Sequence, residues 1–266
     1  LLIVVDGRQR LTTLQRFLEA QLVLDLPDRP ELNHRKFLDL EPRLQNRVED
    51  CQLHFYIIDR TVPERARLDI FERVNGGEVL TRQQMRNAIY NGPATRFLKD
   101  EAQSDLFKEA TGGSLNIKKM QDREFVNRFC SFSLLEFDTY KGDMDDWLAR
   151  GLVRLGKLKG LESDALREKF RLGLRNNLTV FGRHAFRKHR SPTQARSILN
   201  ASLFDVMMAE MSARDPASVS EKAEILRQTF FAQLDNPSFT KAITYGPNTP
   251  KEVRTRFRIA GEMFSE

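Results

Sequence analysis

Along residues 163–189 apolar side chains recur at steps of four and three: Leu166, Phe170, Leu174, Leu178, Phe181 and Ala185 fall on one line. That is the period of an α-helix with one face turned to a core. Weaker forms of the same pattern predict helices over 94–109, 121–140, 143–156, 194–213, 218–235 and 250–264. The beginning of the chain reads differently. Leu1-Leu2-Ile3-Val4-Val5 is short, rich in β-branched residues and stopped by Asp6-Gly7, as a buried strand is. From Gln9 the period lengthens, and Leu11, Leu14, Leu18 and Leu22 predict one helical face. Asp25 to Pro30 is a turn-rich break. In residues 51–59, Cys51, Leu53, Phe55 and Ile57 alternate with Gln52, His54 and Tyr56, the period-two signature of a second strand. Residues 62–75 follow as a helix, with Pro63 near its start and Asn75-Gly76-Gly77 at its end. Thr81 is placed to cap the next helix.

The expected architecture is therefore α+β and mostly α. A small α/β unit spans 1–92 and ends at Asn91-Gly92-Pro93; an all-helical bundle spans 93–266. Two strands alone are barely stable. The chain also opens inside a strand-like run without an initiator Met, so an upstream segment is expected to complete the sheet.

Composition narrows the setting. Of the 266 residues, 40% are hydrophobic and 9% aromatic, enough for a sizeable core and against disorder. The two cysteines, Cys51 and Cys130, form neither a disulfide framework nor a zinc spacing, so a reducing cytoplasm is expected. No apolar run approaches the roughly 20 residues of a membrane helix, and no signal peptide is readable. No membrane partner is expected.

The net charge is +6, and 30 of the 43 basic residues are Arg, which grips phosphate bidentately. Arg-rich codon usage explains that excess equally well. The densest basic run holds Arg183, Arg187, Lys188 and Arg190, with Arg167, Arg171 and Arg175 upstream. It reads either as a patch tracking a nucleic-acid backbone or as a solvated helix end, where cations suit the dipole. His184 and His189 are five apart, off the shared helical face that metal ligands need, and read as surface residues. No metal centre is expected. Asp143, Asp145 and Asp146 read as a helix N-terminal turn, and Asp122, Arg123 and Glu124 as a cap or brace. Arg254, Arg256 and Arg258 are spread around their helix.

One short stretch resists a purely structural reading. In VVDGRQRLTTL, residues 4–14, Arg8 and Arg10 fall in a first helical turn. Cations there oppose the helix dipole by roughly 0.3–1 kcal/mol each. A strand, a turn through Gly7 and a helix start also make an anion site, because free N–H groups point outward and glycine permits close approach. With a phosphate present, Arg8 and Arg10 become favourable, Thr12 and Thr13 add hydroxyls, and Asp6 caps the turn or holds a metal. The competing reading has Asp6 as a plain cap and both arginines paired with carboxylates elsewhere.

These residues resemble the DGQQR signature of a large prokaryotic domain family, the GmrS-like part of modification-dependent restriction systems, itself similar to the ParB and sulfiredoxin superfamily. Asp6, Gly7, Gln9 and Arg10 match the signature; Arg8 departs from it, where Gln is usual. Residues 70–93, IFERVNGGEVLTRQQMRNAIYNGP, resemble the family's second block through Asn75, Arg86 and Asn87, with Gln84 and Met85 as departures. Residues 110–129 fit its helical continuation. The resemblance spans roughly residues 1–190 and lacks the family's upstream Gln-Arg segment. It implies a ParB-like α/β fold that binds, and in some relatives hydrolyses, GTP or ATP with Mg²⁺, often in defence against phage DNA and with a nuclease partner. Asp6, Gln9 and Arg10 would be catalytic. Gly7, Arg8, Arg10, Thr12, Asn75, Arg86 and Asn87 would bind the nucleotide or lock its pocket. Two further readings stay open: a DNA-binding or nuclease module using the 183–190 run, and a non-catalytic sensor or interaction module.

Overall fold

A computed structural model of the chain describes residues 4, 7–59, 61–63, 66, 69–70, 73, 80–191 and 193–264. The chain divides into two compact units, Leu1–Val79 and Leu80–Glu266.

The first unit holds α1 (Arg8–Leu18), a 3-10 turn (Phe37–Asp39) and α2 (Pro42–Glu49). Pro42 opens α2 where its missing N–H costs nothing. Phe17, Phe37 and Leu40 form a small core, with the rings of Phe17 and Phe37 edge-on at 5.7 Å. So small a cluster cannot cover the whole expected stripe of α1: Leu14 and Leu18 stay 39% and 43% exposed, and Phe17 takes the buried place. Ala66, Asp69, Ile70 and Arg73 are helical, in line with the helix expected over 62–75. The glycine stop of that helix lies outside the described residues.

The α/β reading is overturned, because no strand or sheet occurs among the described residues. Two strand-like residues do pair, Arg187 and Leu199, as an isolated antiparallel bridge. Residues 51–59 belong to no ladder, and Tyr56 is 96% exposed, with Phe55 and Ile57 close behind. Alternation marks the two faces of a strand. A ladder still needs a neighbour to take its N–H and C=O groups, and 52–58 find no backbone partner among the described residues. The run Leu1–Val5 lies outside them except for Val4, which is exposed.

The second unit is a helical bundle. It runs through α3 (Arg82–Ile89), α4 (Pro93–Gln103), α5 (Asp105–Thr111), α6 (Gln121–Leu134) and α7 (Met144–Leu155). It continues through α8 (Leu161–Phe181), α9 (Ala201–Met211), α10 (Pro216–Glu221), α11 (Ala223–Gln233), α12 (Pro237–Ala242) and α13 (Pro250–Phe264). α6 packs on α3, α4, α7 and α9, and α8 on α5, α9, α10 and α11. Leu166, Phe170 and Leu174 are buried as their spacing predicts. The helix stops earlier than that spacing suggests, because Gly182 takes a positive φ of 51°. Ala185 is buried too, but in the turn beyond. The expected 94–109 helix breaks at Ser104, whose hydroxyl caps α5 by accepting from Phe107 N.

Two helix pairs make their closest approach at a glycine. A Cβ on Gly151 of α7 would lie 1.9 Å from Ser131 Oγ of α6, and one on Gly173 of α8 would lie 3.0 Å from the Met208 methyl of α9. The main core gathers Phe125, Phe129, Phe170, Phe204, Met207 and Phe230; a smaller one holds Tyr140, Trp147 and Val253. No helix among the described residues is long and apolar enough to cross a membrane.

Candidate functional site

α1 begins at Gly7, which adopts the left-handed conformation (φ 83°, ψ 4°) as its N-cap. No side chain caps this end, and its first turn carries no acid. Leu11 N closes the first helical bond onto Gly7 O at 2.9 Å. The amides before Leu11 are the helix's orphan donors. Arg8, Gln9, Arg10, Thr12 and Thr13 are all exposed around them. The Arg10 guanidinium folds back over the turn, its Nη2 3.6 Å from where a Gly7 Cβ would sit. Glycine thus serves the positive φ. Arg8 makes no ion pair among the described residues. Asp6 and Asn75 lie outside them. No group of three His, Cys, Asp or Glu able to hold a metal occurs among the described residues.

Arg86 and Asn87 belong to the second unit. Thr81 caps α3 as expected, accepting from Gln84 N at 3.2 Å, while Gln84 Oε1 accepts from Thr81 N at 2.7 Å. This turns Gln83 and Arg86 inward. Arg86, 1% exposed, donates from Nη1 to Asp145 Oδ1 at 2.6 Å and from Nε to Gln83 Oε1 at 3.1 Å, and lies 3.9 Å from Glu124. Asn87 Oδ1 accepts from Gln83 Nε2 at 3.1 Å. The guanidinium is spent on tying α3 to α6 and α7, a bracing role. Asp143 caps α7 as expected, accepting from Asp145 N and Asp146 N. Asp122 is buried in the first turn of α6, and burial raises its carboxyl above the usual range.

The basic run does not form one strip. Helical spacing ends with α8 at Phe181, so the four cations part. Arg183 is exposed. Arg187 is buried and donates to Thr111 O, Ser114 Oγ and Ser197 O. Lys188 Nζ reaches Thr244 Oγ1 at 2.5 Å, and Arg190 pairs with Asp235. Upstream, Arg167 and Arg171 converge on the buried Glu101 of α4, and Arg175 lies 3.8 Å from Glu168.

His184 and His189 are not surface residues. Both are 2% exposed, and their rings stack at 4.6 Å with planes 19° apart. Phe181, Phe230 and Phe231 surround His189. Burial, chiefly, holds His189 below the usual histidine pKa, with His184 and Arg227 adding to it against a bond to Arg187 O.

One polar centre escaped the sequence reading. Asp205 of α9, fully buried, accepts from Arg128 Nε at 2.8 Å and Nη2 at 2.6 Å, and from Arg256 Nη2 at 2.8 Å. A signal existed: Arg128 and Asp205 each sit alone inside an apolar run, FVNRFCSF and LFDVMM. Arg256 is the inward member of its arginine triplet, whereas Arg258 pairs with Glu262 at 2.6 Å. The chain matches no protein-family model, no curated protein and no solved structure.

Proposed function

We propose that the first unit binds the phosphates of a nucleotide, GTP or ATP, at the start of α1. One observation carries this reading: an uncapped helix N-terminus, opened by a left-handed Gly7 and free of acids in its first turn, carries Arg8 and Arg10 exposed beside it. Orphan amides and the dipole already favour an anion there. Arg8, which opposes that field and makes no ion pair among the described residues, becomes favourable once an anion is bound, and both guanidinium groups can donate charge-assisted bonds to it. Gly7 leaves room for a phosphate to reach the backbone. Gln9 and Thr12, also exposed, supply polar contacts for a water, a ribose or a phosphate oxygen. The resemblance to the DGQQR signature points the same way. Arg86 and Asn87 act here as braces of the second unit and not as phosphate ligands. The described residues around the turn offer no carboxylate set for Mg²⁺.

Calorimetric titration of GTP and of ATP into the wild-type chain and into Arg10→Ala tests this. Heat from the wild type that is lost in the variant is expected. Equal heats in the two, or none in either, would remove the reading.

A further inference from the structure

Two guanidinium groups meet on one peptide of the second unit. Arg187 donates from Nη2 to Thr111 O and to Ser114 Oγ, both at 2.8 Å. Arg196, which is exposed, lies across the next residue: its Nη1 is 2.2 Å from where a Cβ on Gly112 would sit. Gly112, at a positive φ of 61°, leaves that space to the guanidinium. The pair has no counter-ion among the described residues. Arg187 makes no ion pair among the described residues, and its buried Nε has no partner there. Arg196 makes neither a hydrogen bond nor an ion pair among them. Burial and the neighbouring Arg196 both act against the charge of Arg187, yet an arginine does not shed it. The carbonyl end of α5, through Thr111 O, meets part of the charge on Arg187. The charge of Arg196, at the surface, faces solvent. Above the turn there is room, since a Cβ on Gly113 would touch nothing within 4 Å.

We propose that Arg196 and Ser114, backed by Arg187, form a phosphate-binding site at the Gly112–Ser114 turn. Arg196 supplies the planar fork that takes two phosphate oxygens. Ser114 supplies a hydroxyl. Its oxygen already accepts from Arg187, and its proton is held only by a 3.3 Å bond to Gly112 O, so it can turn to a ligand. Arg187 is a positioning residue: it fixes Ser114 and adds charge from behind. The ligand class is a phosphate group, either free or as a monoester, or one link of a phosphodiester backbone. This site lies in the second unit and does not depend on the Gly7 turn.

The test is calorimetry with inorganic phosphate at constant ionic strength, balanced by chloride. Arg10→Ala, which disables the Gly7 turn, is the background in which Arg196→Ala, Arg196→Lys and Ser114→Ala are compared. Arg196 is exposed, so its removal leaves the fold intact, which the thermal midpoint verifies. Binding weakened by at least about tenfold by Arg196→Ala, partly restored by Arg196→Lys and reduced by Ser114→Ala is the expected result. No uptake by the background chain, or equal uptake after Arg196→Ala, overturns the proposal. Displacement of bound phosphate by a short oligonucleotide assigns the site to a phosphodiester; failure to displace assigns it to a free or monoester phosphate.

Discussion

The two units handle charge in opposite ways. In the second, Asp205 is enclosed by two arginines, Glu101 by two more, and Arg86 by Asp145 and Gln83, all at or near zero exposure on one side of each pair. In the first, Arg8 and Arg10 stand in water on a helix end of their own sign, and much of the apolar surface stands in water with them. The contrast separates two uses of arginine. An enclosed, paired guanidinium fixes helices to one another, and removing either partner leaves a buried charge. An exposed one on a helix end of its own sign, as Arg8 is, gains nothing from the dipole and makes no ion pair among the described residues.

The comparison breaks most sharply at Asp205. Asp205→Ala leaves Arg128 and Arg256 facing each other in the core, and a loss of roughly 3–5 kcal/mol is expected in denaturant unfolding. A loss below that of an ordinary surface substitution would show that the centre does not hold the bundle. Gly151→Ala comes next. The new methyl collides with Ser131, at an expected cost of roughly 1–3 kcal/mol, and Ser131→Gly in the same chain should recover part of it. Acid should act through His189. Burial holds His189 below its ordinary value, so the unfolded chain binds the extra proton first. Stability is then complete above about pH 6.5 and declines as the pH falls below it. His189→Asn should flatten the thermal midpoint between pH 7 and 5; an unchanged slope would exclude His189 as its source. The smallest effect is expected in the first unit. Arg8→Ala should leave stability unchanged or raise it by roughly 0.3–1 kcal/mol, since it relieves the dipole. A clear loss would make Arg8 a structural residue.

The helical half of the fold was legible because its signal is local. The stripe from Leu166 to Leu174 repeats with the helix, and Thr81, Gly92-Pro93 and Asp143 mark ends through chemistry confined to one turn. The strand-like run at Cys51–Asp59 misled for the converse reason: alternation describes a face, while a strand exists only through a neighbour that sequence spacing does not supply. The same limit hid the Asp205 centre, whose partners are 77 and 51 residues away. It also placed His184 and His189 at the surface, when a chain reversal after Phe181 folds them inward. At the candidate site the sequence placed a turn at Gly7, and Gly7 does open α1 in the left-handed conformation. Arg86, which the motif resemblance tied to a pocket, is instead claimed by Asp145, a contact across 59 residues.

Trp147 is the chain's one tryptophan, and it is buried in the second unit with Tyr140 edge-on at 5.3 Å and Arg150 above its ring at 5.5 Å. Intrinsic fluorescence excited at the indole therefore reports on the bundle and is silent about the turn at Gly7. The thiols divide the molecule the other way: Cys51 is exposed in the first unit, while Cys130 is buried and burial pushes its thiol further from ionising. A maleimide dye would thus attach selectively at Cys51, giving each unit its own optical reporter without any engineered residue.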